Sequence, residues 1–228
     1  MHDIEDSWHL LPRLAAGHSE SLHSLSATHT AAIRLNLLQW YDSNRRQLPW
    51  RGDAMPHGKE TFHINPSPYA VWVSEIMCQQ TRIATVIEYF QRWMTSFPTV
   101  QDLAAADLEV GLGGAVCLPL LISWGHLFSV LPQQTVNQHW AGLGYYRRAR
   151  LLHQGAQYVV KELNGDIPST KEGLMKIPGI GEYTAGAIAS ISFGQQVPVV
   201  DGNVIRVLSR LRTIVCSPKN TVAVKHMW

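Results

Sequence analysis

The sequence contains few charged residues. Asp, Glu, Lys and Arg make up 16% of its 228 residues, against about 25% in an average soluble domain. Part of the shortage is local, because no charged residue occurs between Val110 and Tyr146. The first part of this stretch, up to Leu131, is long enough to raise the question of a membrane span. We expect no span, because glycines and Pro119 interrupt the stretch and no cluster of Lys or Arg flanks it.

Cysteines are also few. The sequence has only Cys78, Cys117 and Cys216, and no Cys-x-x-Cys pair. This excludes a disulfide-rich scaffold and favours a reducing compartment. The 11 histidines lack the spacing of metal ligands, so we expect no metal site.

No segment alternates apolar and polar residues as a half-buried β-strand does, so the predicted fold class is all-α. Residues 1–30 are rich in His and Ser, lack the positive charge of a targeting signal, and are predicted to form a poorly ordered tail. We expect an N-terminal helix and a loop in residues 31–66. Residues 67–198 are expected to form the main helical lobe, and residues 199–228 the start of a second one.

Basic residues are concentrated in the last third of the chain. Residues 140–228 carry eleven Lys or Arg against five Asp or Glu. This is the candidate surface for an anionic partner. A solvated basic face without a partner is the alternative.

A glycine-rich turn within residues 169–192 is the sharpest motif. Pro178, Gly179, Ile180 and Gly181 join two short predicted helices. Two glycines permit a tight hairpin, and the N–H groups at the start of the second helix attract an anion. This pattern predicts a helix-hairpin-helix that binds a DNA phosphate without reading the base sequence. An ordinary corner between helices is the alternative.

Two carboxylates are candidate catalytic groups. Glu75 lies in a predicted helix among mostly apolar neighbours, which would raise its pKa and suit a general acid. The alternative is that Glu75 reaches solvent or pairs with Arg82. Asp201 precedes an amphipathic helix as an N-cap, where backbone N–H groups would keep it ionised. One protonated and one ionised carboxylate are what cleavage of a glycosidic bond requires.

An aromatic segment between glycines spans residues 140–146, and three arginines follow it at Arg147, Arg148 and Arg150. Aromatic side chains that wedge between bases, beside cations that bind phosphates, suit the extrusion of a base from DNA. A turn that packs two helices together is the alternative.

These motifs together resemble the adenine DNA glycosylases of the helix-hairpin-helix base-excision repair superfamily. The matching segments, in order, are Leu48-Pro49-Trp50-Arg51, residues 71–81, residues 140–146, residues 178–186 and residues 200–204. The resemblance covers about residues 31–228 except 110–135. It implies a six-helix barrel lobe followed by the start of a second helical lobe. It also implies a partner, double-stranded DNA with adenine mispaired with oxidised guanine or guanine, from which the enzyme removes the adenine.

The resemblance also implies roles for single residues. Glu75 would protonate adenine N7, and Asp201 would stabilise the sugar cation. Arg51 and Asn203 would help to hold the flipped adenosine and the catalytic carboxylates. Tyr183 replaces the Schiff-base lysine of endonuclease III, which implies a glycosylase that does not cut the strand. The residues implied to enter the duplex and contact the opposite base are Gln79, Gln80, Thr81, Leu143 and Tyr145.

Two departures from the family bear on activity. Residues 110–135 interrupt what the family pattern shows as one helix, and we hypothesise that they derive from a retained non-coding stretch or an alternative exon. The chain also ends at Trp228, before the four cysteines that hold the family's 4Fe–4S cluster. We therefore expect no cluster, although a monovalent cation at the hairpin is implied.

The sequence leaves two other functional interpretations open. One is a non-catalytic or misfolded shortened product with residual helix-hairpin-helix DNA binding. The other is a membrane-anchored protein that uses the apolar residues 110–131. The family resemblance implies location in the nucleus or the mitochondrion, and the sequence indicates no protein partner.

Overall fold

The computed structural model describes residues 25–52, 66–109 and 135–212. These ranges contain α-helices and one 3₁₀ turn, Pro49–Arg51, and no β-strand. The helices are α1 (Ala27–Asn44), α2 (Pro68–Cys78), α3 (Ile83–Ser96), α4 (Val100–Ala105), α5 (Val136–Trp140), α6 (Arg147–Glu162), α7 (Lys171–Leu174), α8 (Glu182–Phe193) and α9 (Gly202–Leu211). The predicted all-α class is confirmed.

The chain divides into two compact units. The central unit is Gln47–Val197, and the terminal unit combines the residues up to Arg46 with those from Pro198 onwards. The 3₁₀ turn therefore belongs to the central unit and not, as we expected, with the N-terminal helix. Trp50 of this turn and its N-cap Leu48 are buried, and the Trp50 ring meets Phe90 edge-on with 5.2 Å between ring centroids.

Helix α2 is the middle of the central unit. Seven of its eleven residues are buried, as expected for a helix that is apolar on all sides. It packs against α3, α6, α8 and the 3₁₀ turn, while α4 packs on α6 and α7 on α8. Trp93 and Trp140 are fully buried and meet edge-on at 5.5 Å. This core fixes the end of α2 that carries Glu75.

Several helices begin at the residues that cap them. Ser67 accepts a hydrogen bond from the Ala70 N–H and precedes Pro68, as the sequence predicts. Helix α1 begins at Ala27 because Ser26 accepts from the His29 N–H at 3.2 Å. Residues 27–30, which we assigned to the N-terminal tail, are therefore helical.

The two helices of the terminal unit do not bury their apolar faces among the described residues. Leu37 and Leu38 of α1 are 59% and 62% exposed, and Val207 of α9 is 58% exposed. Neither helix contains a buried residue. The amphipathic pattern after Asp201 predicts the helix α9 correctly, but the apolar face of this helix is not buried within the described part of the chain.

The described residues on both sides of the expected insertion are hydrogen-bonded to each other. The Val136 N–H donates to the Asp107 carbonyl at 2.9 Å, and the Asn137 N–H donates to the Leu108 carbonyl at 3.1 Å. Thr135, which we placed in the insertion, is 3% exposed and is the N-cap of α5. The insertion therefore ends at residue 134, and residues 110–134 lie outside the described ranges.

Among the described helices, none has both the length and the apolar character needed to cross a membrane. The apolar stretch 110–131, on which the interpretation as a membrane anchor depends, lies outside the described residues.

Candidate active site and nucleic-acid interface

Glu75 lies in the last turn of α2, three residues before the helix ends. Its side chain is half-buried, and Val71 and Trp72 on the preceding turn are fully buried. The Ile76 and Met77 that follow are buried as well. Glu75 therefore lies on a surface that is apolar and partly open to solvent.

Asp201 is the N-cap of α9, as predicted. Its Oδ1 accepts from the Asn203 N–H at 2.9 Å and from the Val204 N–H at 2.8 Å. Its Oδ2 accepts from the Asn203 side-chain Nδ2 at 2.7 Å. Three donors aimed at one carboxylate fix its orientation.

Asn203 is in turn held by a residue that the sequence analysis missed. Arg206 Nη2 donates to Asn203 Oδ1 at 2.8 Å. Because this bond assigns the amide oxygen to Arg206, the amide nitrogen faces Asp201. The three-residue spacing of Asn203 and Arg206 on one helix face is the signal that could have identified it.

The residues expected to enter DNA lie on two loops of the central unit. Gln79 and Gln80, after α2, are exposed, and Thr81 is half-buried. Tyr145, before α6, is 66% exposed and is available to wedge into a duplex. Leu143, which was also expected to enter the duplex, is buried.

The Leu143 side chain is 7% exposed and belongs to the hydrophobic core. In this conformation it is not available to DNA. Its carbonyl accepts from Arg148 at 3.1 Å, a second functional residue that the sequence analysis did not single out from its two neighbouring arginines.

The predicted hairpin lies between α7 and α8. Gly179 has a φ of +82°, a conformation that glycine adopts without strain. Ile177 and Ile180 are buried, and the Ile180 N–H donates to the Ile177 carbonyl at 3.1 Å. Ile180 therefore anchors the turn and does not offer its N–H group to a phosphate. The exposed Gly181 is the N-cap of α8, whose first N–H groups have no partner within the helix, as an anion site requires.

The hairpin is held closely against α6. A Cβ atom on Gly155 of α6 would lie 2.8 Å from the Pro178 carbonyl oxygen and 2.7 Å from the Trp72 ring. A Cβ on Gly179 would lie 2.8 Å from Leu151 Cβ. Two glycines thus bring the hairpin, α2 and α6 together.

The remaining predicted site residues lie near these elements. Tyr183 is in the first turn of α8 and is 37% exposed. Its neighbour Glu182 pairs with Lys171 at 2.9 Å, which offsets a negative charge beside the hairpin. Arg51 ends the 3₁₀ turn and is half-buried, held in place by the buried Trp50 before it.

The described residues do not fit a metal cluster. They contain no group of three or more His, Cys, Asp or Glu side chains that could hold a metal ion. Cys78 lies half-buried at the end of α2, and the other two cysteines lie outside the described ranges. No chemical step is therefore assigned to a cluster.

The fold resembles that of solved DNA glycosylase structures. Endonuclease III, trapped as a covalent intermediate with DNA, has a TM-score of 0.59 at 21% identity, covering 90% of this chain and 78% of that one. A thermostable thymine-DNA glycosylase has a TM-score of 0.56 at 18% identity, covering 89% of this chain and 86% of that one.

Two family models match segments of the chain. The helix-hairpin-helix motif matches residues 162–191, and the HhH-GPD superfamily of base excision DNA repair proteins matches residues 73–113. These two segments are therefore similar to the helix-hairpin-helix motif and to the HhH-GPD superfamily of base excision DNA repair proteins.

The chain is also similar in sequence to adenine DNA glycosylases, which confirms the resemblance carried by the five motifs. It is 48% identical over 206 residues to the adenine DNA glycosylase of Arabidopsis thaliana, covering 89% of this chain and 30% of that protein. The Homo sapiens enzyme is also 48% identical, over 198 residues, covering 86% of this chain and 31% of that protein. The chain thus spans about a third of the length of these relatives.

Proposed function

We propose that this chain removes adenine from DNA in which adenine is mispaired with oxidised guanine or guanine. The main observation in support is the geometry of Asp201, whose carboxylate receives three hydrogen bonds from Asn203 and Val204. A helix cap needs only the backbone donors. The additional side-chain donor, itself oriented by Arg206, is what a carboxylate with a chemical role requires.

Glu75 would act as the general acid. Protonation of adenine N7 by the Glu75 carboxyl group lets the N-glycosidic bond break with adenine leaving as a neutral base. The half-buried position of Glu75 among apolar residues of α2 supports this assignment.

Asp201 would then stabilise the positive charge that develops on the sugar. An ionised carboxylate held in a fixed orientation stabilises such a cation without reorganising during the reaction. Water attacks the sugar carbon and loses its proton to a carboxylate, which leaves an abasic site. Asn203 and Arg51 would hold the carboxylates and the flipped adenosine.

DNA binding would combine two surfaces of the central unit. The hairpin at Pro178–Gly181 would bind a phosphate through the N–H groups at the start of α8. Arg147 and Arg150, exposed on the first turn of α6, would bind further phosphates beside the exposed Tyr145. Such contacts predict affinity that falls steeply with salt concentration.

Tyr183 supports a reaction without strand cleavage. A lysine amine at this position would form a Schiff base with the sugar and lead to strand cutting, whereas a phenol cannot. We therefore expect free adenine and an intact strand that breaks only after treatment with alkali.

A single-turnover assay tests the proposal. The substrate is a duplex with adenine opposite oxidised guanine, and the control duplex has the same adenine opposite thymine. Wild type should release adenine from the first duplex only, and both Glu75→Gln and Asp201→Asn should be slower by at least about 100-fold.

Three outcomes would contradict parts of the proposal. Equal release by all three proteins would exclude the two catalytic assignments. Salt-dependent DNA binding without adenine release would favour a non-catalytic DNA-binding product. Strand cleavage before alkali would exclude the role of Tyr183.

We further propose that this part of the protein works without a metal cluster among its described residues.

The monovalent cation implied at the hairpin stays a prediction. Measuring DNA affinity in potassium and in a bulky organic cation at equal ionic strength tests it, since a bound cation predicts tighter binding in potassium.

The compartment is a separate proposal. Nuclear or mitochondrial DNA is the substrate that the proposed reaction requires, so we expect the protein in one of these compartments. Microscopy of the tagged full chain tests this expectation, and uniform cytosolic staining would contradict it.

A further inference from the structure

The Arg148 side chain donates six hydrogen bonds. Its guanidinium is at the start of α6 and the residue is 9% exposed. Nη1 donates to the carbonyls of Ile76 at 3.1 Å, Met77 at 3.0 Å and Gln79. Nη2 donates to Thr81 Oγ1 at 3.3 Å and to the carbonyls of Leu143 at 3.1 Å and Gly144 at 3.3 Å.

These acceptors belong to two segments that are far apart in sequence. One segment is the end of α2 and the loop of residues 79–81. The other is the loop of residues 143–145. Both terminal nitrogens, Nη1 and Nη2, reach the first segment, and Nη2 also reaches the second, so a single planar group joins the two loops. Both are loops that we expect to face DNA.

A buried charge at this place is stabilised by its surroundings. The last carbonyls of a helix have no partner within the helix and carry a partial negative charge. Arg148 supplies donors to those of α2. Burial lowers the pKa of Arg148, yet a guanidinium keeps its charge in proteins. The side chain also faces the rings of Trp140 at 5.4 Å and Tyr145 at 5.6 Å.

Each loop contains a residue whose backbone has a positive φ, a conformation that residues other than glycine rarely adopt. Gln80 has a φ of +57° and Tyr145 a φ of +49°. Such a conformation persists only where the surrounding structure fixes it, and it is frequent at functional sites. The bonds from Arg148 lie on both sides of Gln80, at Gln79 and Thr81, and directly before Tyr145.

We propose that Arg148 is a positioning residue that joins the loops of residues 79–81 and 143–145 into one rigid DNA-entering surface. This inference rests on the proposed function, since it assigns Gln80 and Tyr145 to one recognition event at the mispair. Arg148 does not touch DNA in this role. It fixes the spacing between the side chains that do, and it holds the end of α2 that carries Glu75.

The proposal differs from a purely structural role in what it predicts for the two loops. If Arg148 only stabilised the fold, weakening it would loosen the whole central unit. If it couples the loops, a change confined to one loop should loosen the other while the core stays as it is. Thr81→Val provides such a change, because it removes one acceptor of Arg148 and nearly preserves the shape of the side chain.

Hydrogen–deuterium exchange of the full chain without DNA measures this coupling. Thr81→Val should raise exchange in peptides covering residues 141–147 as well as residues 76–83, by about threefold or more. Arg148→Lys, which keeps the charge but loses the planar fork, should raise exchange in both peptides by about tenfold or more. Thr95→Val is the matched control, since the exposed Thr95 hydroxyl bonds only the Gln91 carbonyl of its own helix.

DNA affinity provides the functional measurement. The duplex with adenine opposite oxidised guanine is compared with a fully paired duplex of equal length. Arg148→Lys should weaken binding to the mispaired duplex about tenfold more than binding to the paired one, because hairpin contacts to phosphate do not depend on the two loops.

The results separate the failure of this proposal from that of the proposed function. Exchange that rises in one loop only, in neither loop, or equally in all peptides of the central unit would overturn the coupling role. Equal loss of affinity for both duplexes would overturn it as well. If wild type releases no adenine, the proposed function fails, but the exchange measurement still decides whether Arg148 couples the loops.

Discussion

At the scale of single residues, three side chains of the proposed site are linked by hydrogen bonds, from Arg206 through Asn203 to Asp201. Arg206 holds the Asn203 oxygen, and Asn203 presents its nitrogen to the Asp201 carboxylate. An amide that rotated by half a turn would present oxygen to that carboxylate and repel it. The arginine therefore determines which end of Asn203 meets the carboxylate.

We predict that Arg206→Met lowers the single-turnover rate of adenine release by about three- to tenfold, since one oriented hydrogen bond contributes about 1 kcal/mol. Arg206→Lys should recover part of the loss because its ammonium group can reach Asn203 Oδ1. Arg210→Met, at an exposed position one turn later on α9, is the control. Equal rates for wild type and Arg206→Met would show that Asn203 is oriented without Arg206.

A second residue-scale prediction concerns Gly155. Gly155→Ala should lower the free energy of unfolding by about 1–3 kcal/mol, because the new methyl group overlaps the Trp72 ring and the Pro178 carbonyl. This loss should exceed the gain in helix propensity of about 1 kcal/mol. Chemical denaturation measures it. Gly181→Ala, where an added Cβ meets nothing within 4 Å, should change stability little, and an unchanged Gly155→Ala protein would contradict the predicted packing.

At the scale of helices, a buried histidine joins α4 to α6. His153 of α6 has its Nε2 2.9 Å from the Ala106 carbonyl, at the end of α4. Burial lowers the pKa of His153 from the ordinary 6.5, although the Ala106 carbonyl and Asp107 act in the opposite direction. The folded state therefore favours neutral His153.

This shift predicts how stability depends on pH. As the pH falls through 6.5, the unfolded chain takes up a proton at His153 before the folded one does, so stability is lost below that pH. One proton limits the loss to about 1.4 kcal/mol per pH unit. Denaturation at pH 7.5 and about pH 5.5 should show a smaller loss for His153→Gln than for wild type. His29→Gln, at an exposed position, should keep the wild-type dependence, and identical profiles for all three would contradict the prediction.

The helices also show what sequence can and cannot predict. Local chemistry located the starts of α2 and α9, because Ser67 and Asp201 cap through bonds to the next few residues. Ser169 and Glu172 have the spacing of a capping box and predict Ser169 as the N-cap of α7. In the structure the N-cap is the next residue, Thr170, which accepts a hydrogen bond from the Gly173 N–H. Neighbouring polar residues compete for such positions.

Long-range contacts account for what the sequence did not reveal. Arg148 bonds acceptors about 70 positions earlier in the chain, and nothing nearby distinguishes it from Arg147. Leu143 belongs to a motif that suggests contact with DNA, but the motif does not say which of its side chains turns towards the core. The exposed faces of α1 and α9 show the same limit, because periodicity predicts an apolar face and not what covers it.

At the scale of the whole molecule, the interrupted helix is the main departure from the family pattern. Joining residue 109 directly to residue 135 would place Val136 four positions after Asp107, and Asn137 four positions after Leu108. Their existing hydrogen bonds would then have the spacing of α-helical bonds. The described residues on both sides are thus already hydrogen-bonded to each other, although Thr135 itself is extended.

We predict that deleting residues 110–134 leaves the fold intact and raises stability by up to about 2–3 kcal/mol, the entropy of closing a loop of that length. Solubility should rise too, because the segment is apolar and uncharged. Deleting residues 110–135 is the matched variant. It shortens both spacings to three positions and should give a lower melting temperature than the first deletion.

Melting temperature and the soluble fraction after expression measure both variants. A lower melting temperature for the 110–134 deletion than for wild type would mean that the segment packs on the central unit. The hypothesis of a retained non-coding stretch would then be wrong.

The hydrogen bonds at Asp107 and Leu108 also make this point of the chain an insertion site for protein engineering. The two bonds hold Asp107 and Leu108 beside Val136 and Asn137. A peptide tag or a small fluorescent reporter placed between residues 109 and 135 would therefore have its two ends held side by side. A reporter at this position could thus show where the protein goes in a living cell.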